Sequence, residues 1–156
     1  MRNEILVLLT VGLALSSLIG YAESDTLKQK KRIDRIAGKI EKQKSLLLNY
    51  NLTRTNKRLA NKLSKAASNS ELILLTENKN PSVFCIAYLI LAKRKDPFAE
   101  SIYQDYLKMS EQEFIEWDKE INRINRKHKS DVVLLYGKAN FVEDVRDKGK
   151  FIDQIK

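Results

Sequence analysis

The chain contains only two prolines, and each stands directly behind a helix-capping side chain, in Asn80-Pro81 and Asp96-Pro97. Proline is tolerated at the first helical position because an N–H there would have no partner, and the Asn or Asp in front accepts from the next free amides. The first pair predicts a helix from Pro81 to about Arg94, and the second a helix from Pro97 to about Lys108. The segment between them is apolar nearly all round from Val83 to Ala92, which places it at the centre of whatever the chain packs into. Its single cysteine, Cys85, reads as a small buried hydrophobe.

Further helix starts follow the same logic. Ser68 with Glu71, and Ser110 with Glu113, have the spacing of capping boxes, and Ser130-Asp131 opens a last long helix. Apolar faces recur at helical spacing: Phe98, Ile102, Tyr106 and Met109; Phe114, Trp117, Ile121 and Ile124; Val132, Leu135, Ala139, Val142 and Val145. These stripes read as core. The connections are short, so neighbouring helices are expected to run antiparallel. Only 5 glycines occur and no useful strand alternation is present, which argues against a sandwich or barrel. The expectation is an all-α fold: a basic N-terminal amphipathic helix, then a compact multi-helix body, either a helical hairpin arrangement or an irregular bundle.

Residues 5–20 form an uncharged apolar run, and Gly20-Tyr21-Ala22 supplies the small residues that a signal peptidase prefers before a cut. As a helix the run spans roughly 24 Å, short of a hydrocarbon core of about 30 Å. Two features oppose simple export. The start, Met1-Arg2-Asn3-Glu4, is weakly positive at best, and the segment behind the run is strongly basic, which resists translocation. Residues 1–22 are therefore read as a signal peptide or, alternatively, as an uncleaved membrane anchor.

The charge behind that leader is concentrated. Between Glu23 and Ala66 there are thirteen Lys or Arg against four Asp or Glu, an excess of nine; from Ala67 to Lys156 fifteen of each cancel. The whole net charge of +9 thus lies in one third of the chain. This divides it into a basic helical arm, 23–67, and a neutral helical body, 68–156. In the arm Leu27, Ile33, Ile36 with Ala37, Ile40, Leu47 and Tyr50 follow one apolar stripe, interrupted at Gln43. A second helix from Thr53 to Ala67 places Leu59, Leu63 and Ala66 on one face. Lys28, Lys30, Lys31, Arg32, Arg35, Lys39 and Lys42 occupy the remaining faces and are the candidate anion-binding residues. No aromatic occurs between Asp25 and Asn49 to stack on bases, and no helix-turn-helix signature is present, so nucleic acid is a poor candidate. An acidic protein or an anionic envelope component suits an exported chain better. If the leader stays in the membrane, the same residues face anionic lipid on the cytoplasmic side.

Within the body, Asn80-Pro81-Ser82-Val83 followed by Ala87, Leu91 and Ala92 resembles the second helix of a HEAT-type repeat, with Glu71–Glu77 as the first. The likeness covers residues 69–95, one unit, with no second copy at a period of about 40 residues. Phe84 stands where HEAT repeats usually carry an arginine. The resemblance implies a protein-binding scaffold and no chemistry.

Catalytic motifs are missing. The only histidine, His128, is flanked by Arg126, Lys127 and Lys129, which disfavour both its protonated form and a bound metal. One His and one Cys make no zinc site, and five scattered glycines make no phosphate loop. Glu113, Glu116 and Glu120 share a helical face, but Lys119 and Arg123 lie at pairing distance, as on an ordinary surface. The sequence therefore points to a non-enzymatic, cofactor-free binding protein, exported to the periplasm or beyond, of the inhibitor, immunity or chaperone kind. The alternative is a membrane-anchored protein with a cytoplasmic polybasic helix.

Overall fold

The computed structural model describes residues 26–43, 46–48, 51–109, 112–113, 115–116, 119, 123 and 138–156. The expected leader at 5–20, His128, Ser110, the start at Ser130-Asp131, and the apolar positions Phe114, Trp117, Ile121, Ile124, Val132 and Leu135 lie outside them. The chain divides into two compact units, residues 1–35 and 36–156. Residues 36–67, which charge groups with the arm, fall in the second unit.

Helix α1 covers residues 26–41. In the first unit Ile33 is buried but Leu27, expected on the same stripe, is 55% exposed near the helix start; in the second, Ile36, Ala37 and Ile40 are buried, as the stripe requires. The stripe does not continue beyond the helix. Gln43 closes it: its backbone N–H donates to the Ile40 carbonyl at 3.0 Å and its Nε2 to the Lys39 carbonyl at 3.0 Å. The interruption at Gln43 is thus the helix end, and Leu47, expected on the helix, belongs to a strand instead.

Strands β1, Leu47–Leu48, and β2, Asn51–Leu52, pair antiparallel with Leu47 opposite Leu52 and Leu48 opposite Asn51. They are too short to alternate visibly in sequence. What holds them is a corner of hydrogen bonds. The Leu46 carbonyl accepts from the Thr53 N–H at 2.9 Å and from Asn56 Nδ2 at 3.3 Å. Thr53 then caps helix α2, Arg54–Ala66, by accepting from the Asn56 N–H. Helix α2 buries Leu59, Ala60, Leu63 and Ala66.

The expected capping box at Ser68 and Glu71 opens α3, Asn69–Thr76, with the Ser68 N–H donating to Glu71 Oε2 at 2.7 Å. Asn80 opens α4, Pro81–Lys93, its Oδ1 accepting from the Ser82 and Val83 amides. Every residue from Pro81 to Leu91 is buried, Cys85 included. Helices α2 and α3, the two later helices at Pro97–Lys108 and Lys138–Arg146, and a terminal 3-10 turn all pack on α4, which is the axis of the second unit.

Helix α4 ends in a Schellman arrangement. The Asp96 N–H donates to the Leu91 carbonyl, and the Lys95 N–H to that of Ala92. Lys95 occupies the left-handed position, φ 55°, where glycine is the usual residue. Asp96 at once caps α5, Pro97–Lys108, accepting from the Phe98 N–H at 2.9 Å. Phe98, Ile102, Tyr106 and Met109 are half-buried rather than core. Phe98 and Met109 sit at the two ends of the helix, where one side meets solvent, and a tyrosine keeps its polar tip near water. Helix α6, Lys138–Arg146, buries Ala139, Phe141, Val142, Asp144 and Val145. Behind it Phe151 stacks on Phe141 with ring centroids 5.2 Å apart, and a 3-10 turn covers Ile152–Gln154. The fold is all-α, as composition and capping predict, with one minimal ladder among the described residues.

Candidate functional site

The basic residues stand where an anionic partner could reach them. In the first unit Lys28, Lys30, Lys31, Arg32 and Arg35 are exposed, and Lys28, Lys31, Arg32 and Arg35 recur at three- and four-residue spacing. In the second unit Lys39 and Lys42, three residues apart, are exposed as well. Burial of the isoleucine stripe forces this outcome, because the helix has no other face on which to place the cations.

Sequence reasoning missed a second group of polar residues, which the fold collects from distant elements. Arg94 donates to the Ser64 carbonyl at 2.6 Å, to the Ala67 carbonyl at 3.0 Å and to Asn69 Oδ1. Asn69 Nδ2 in turn donates to Asp96 Oδ2. This ties the end of α2, the start of α3 and the α4–α5 corner together, and puts a cation on the terminal carbonyls of α2.

Beside that corner lies a cleft of about 450 Å³. Its lining includes Ala92, Ala99, Val145 and Ile152, with Lys95, Asp96, Glu100 and Arg146 as charged members and Tyr88 from the core. Arg146 pairs with Glu100 at 2.7 Å and lies 5.6 Å from the Tyr103 ring centroid. Gln104 Nε2 donates to Glu100 Oε1 at 2.8 Å, and the Tyr103 hydroxyl to Asp147 Oδ1 at 2.6 Å. Tyr88 has no exposed surface, and its hydroxyl has no hydrogen-bond partner among the described residues. Burial pushes the Tyr88 phenol well above its ordinary range; the Arg146 charge opposes this, while Glu100, Tyr103 and Asp147 reinforce it.

Asp144 is the other buried titratable group nearby. Burial pushes its carboxyl up, but a hydrogen bond from Lys148 at 2.8 Å and the charge of Lys150 at 3.4 Å more than offset that, so it sits below the usual carboxylate value. A carboxyl held below its unfolded value contributes stability that is present above that value and lost as pH falls through the folded one. Asp144→Asn is expected to cost about 1–2 kcal/mol at neutral pH, and urea denaturation against pH should show that difference closing below about pH 4.

Among the described residues no group of three or more His, Cys, Asp or Glu is placed to hold a metal, and no helix is long and apolar enough to cross a membrane. Glu113 and Glu116 are exposed, and Glu120 lies outside the described residues. Comparison of the chain with family models, with curated proteins and with solved structures finds no match.

Proposed function

We propose that the protein is a small helical binding protein, without catalytic activity of its own, whose basic helix engages an anionic surface or an acidic protein. The supporting observation is the exposure of Lys28, Lys30, Lys31, Arg32 and Arg35 together on a helix whose neighbouring isoleucine is buried. The helix already orders the backbone that carries these cations, so no backbone entropy has to be offset on contact. The apolar leader makes an envelope component the natural partner. The HEAT-type likeness of residues 69–95 adds a scaffold reading for the body, as a second contact surface. In the alternative arrangement the leader remains as an anchor and the arm lies on anionic inner-leaflet lipid; sequencing the mature N-terminus separates the two, Glu23 for export and Met1 for the anchor.

The test uses vesicles containing anionic lipid, with neutral vesicles and an acidic polypeptide in parallel. Changing Lys30, Lys31, Arg32 and Arg35 to Gln is expected to weaken binding at least tenfold while leaving helix content unchanged. Raising salt from 50 to about 500 mM should weaken the parent protein similarly, since exposed charges are screened within about 10 Å at 0.1 M. Binding insensitive both to salt and to the four substitutions would overturn the assignment.

A further inference from the structure

The lining of the cleft beside the α4–α5 corner includes no candidate anion-binding residue of the arm, and its polar groups are unevenly committed. Its two acids are already occupied. Asp96 accepts from Asn69 and from the Phe98 N–H, and Glu100 accepts from Arg146 and Gln104. Its donors are not. The Lys95 ammonium has no ion pair among the described residues, and the Tyr88 hydroxyl is buried with no partner. Tyr88 lines the cleft together with Arg146 and Glu100, and its hydroxyl is closed off from solvent. A buried unpaired hydroxyl costs about 1–3 kcal/mol, so one that is kept calls for an explanation. Phenylalanine would fill the same space, and the stacked neighbour Phe84 would accept it. The walls between donors are apolar: Ala92, Ala99, Val145 and Ile152.

Two unused donors, apolar walls and internally satisfied acids call for a ligand that brings acceptors and a short hydrocarbon body. We propose that this cleft binds a small amphipathic carboxylate, whose hydrocarbon part lies on Ala92, Ala99, Val145 and Ile152 and whose carboxylate is held by Lys95, Arg146 and the Tyr88 hydroxyl. The volume falls within the ordinary range of small-molecule sites, about 300–1,000 Å³. Entry has a gate. The Arg146–Glu100 pair is about half exposed on both sides, so its exchange for a ligand carboxylate costs little. Binding in this way requires the Tyr88 hydroxyl, which has no accessible surface, to be uncovered. The phenol, held protonated by burial, can act only as donor toward an anion at neutral pH. Lys95 reaches the rim because the α4 terminus holds it in the left-handed conformation, a strained geometry of the kind that persists around ligand sites.

Titration of the full chain with hexanoate, hexanol and hexylamine, followed by NMR of the Ala92, Ala99, Val145 and Ile152 methyls, tests this. Hexanoate is expected to bind at least tenfold more tightly than hexanol, with hexylamine weaker still. Tyr88→Phe and Lys95→Gln should each weaken hexanoate about tenfold, while Tyr88→Phe raises the thermal midpoint. Glu100→Gln should strengthen binding several-fold by removing the competing anion. The variant with Lys30, Lys31, Arg32 and Arg35 changed to Gln should bind hexanoate in the cleft unchanged, so failure of the arm and failure of the cleft read differently. No methyl shifts with hexanoate at millimolar concentration, equal binding of hexylamine, or binding unaffected by both Tyr88→Phe and Lys95→Gln would overturn the proposal.

Discussion

Phe141→Ala is expected to destabilise the protein by about 3–5 kcal/mol, read as a lower urea midpoint with little change in slope. The side chain has no exposed surface, and its loss removes both the transfer term and the packing around the cavity left behind. More is coupled to it than its own volume. Phe151, its stacking partner, has φ 83°, a conformation that a bulky residue adopts only when its surroundings hold it. Without Phe141 that hold is gone. The segment behind Phe151 donates and accepts bonds far from its own position: Gln154 Oε1 accepts from the Leu52 N–H at 2.8 Å, and the Ile155 carbonyl accepts from Lys93. Amide exchange over residues 149–156 should therefore rise in Phe141→Ala well before global unfolding. Exchange in that segment equal to the parent's would show that Phe141 acts by volume alone.

The second large effect is at the axis. Leu89→Ala in α4 should cost about 2–5 kcal/mol, because Leu89 is fully buried on a helix that every neighbouring element uses as its floor. The same truncation at Leu74 on α3, which is 65% exposed, should stay within about 0.5 kcal/mol. A pair of melts comparing the two separates burial from residue type. Similar losses at both sites would mean that Leu74 is covered by something in solution.

The contrast between α4 and α3 also explains what could be read from sequence. Asn80-Pro81, Asp96-Pro97 and Ser68–Glu71 act within four residues of one another, so their chemistry is complete in the local string, and the structure forms each of them. The continuous apolar run of α4 announced its own burial. The ladder at Leu47–Leu48 and Asn51–Leu52 was not legible, because two-residue strands have no period; the stripe of α1 coincidentally extends into it. The exposed cations of the arm were legible, since they follow from the stripe beside them. The cleft was not. Tyr88, Lys95, Glu100 and Arg146 come from α4, the corner after it, α5 and α6, and no local pattern joins them. Tyr88 in particular looks like one more core aromatic until its hydroxyl is checked for a partner.

The bond from Leu52 to Gln154 joins residues 102 positions apart. A ribosome adding about 5–20 residues per second reaches residue 154 several seconds after the hairpin strand it must meet. Through that interval the β1–β2 corner has its local bonds but not its distant one, and α4 exposes the apolar surface that the later elements cover. The entropy of closing so long a loop grows only as the logarithm of its length, so the delay is kinetic and not a matter of final stability. A chain that cannot finish its core until so late stays pliable while it is being made, the interval in which a nascent chain most needs a chaperone.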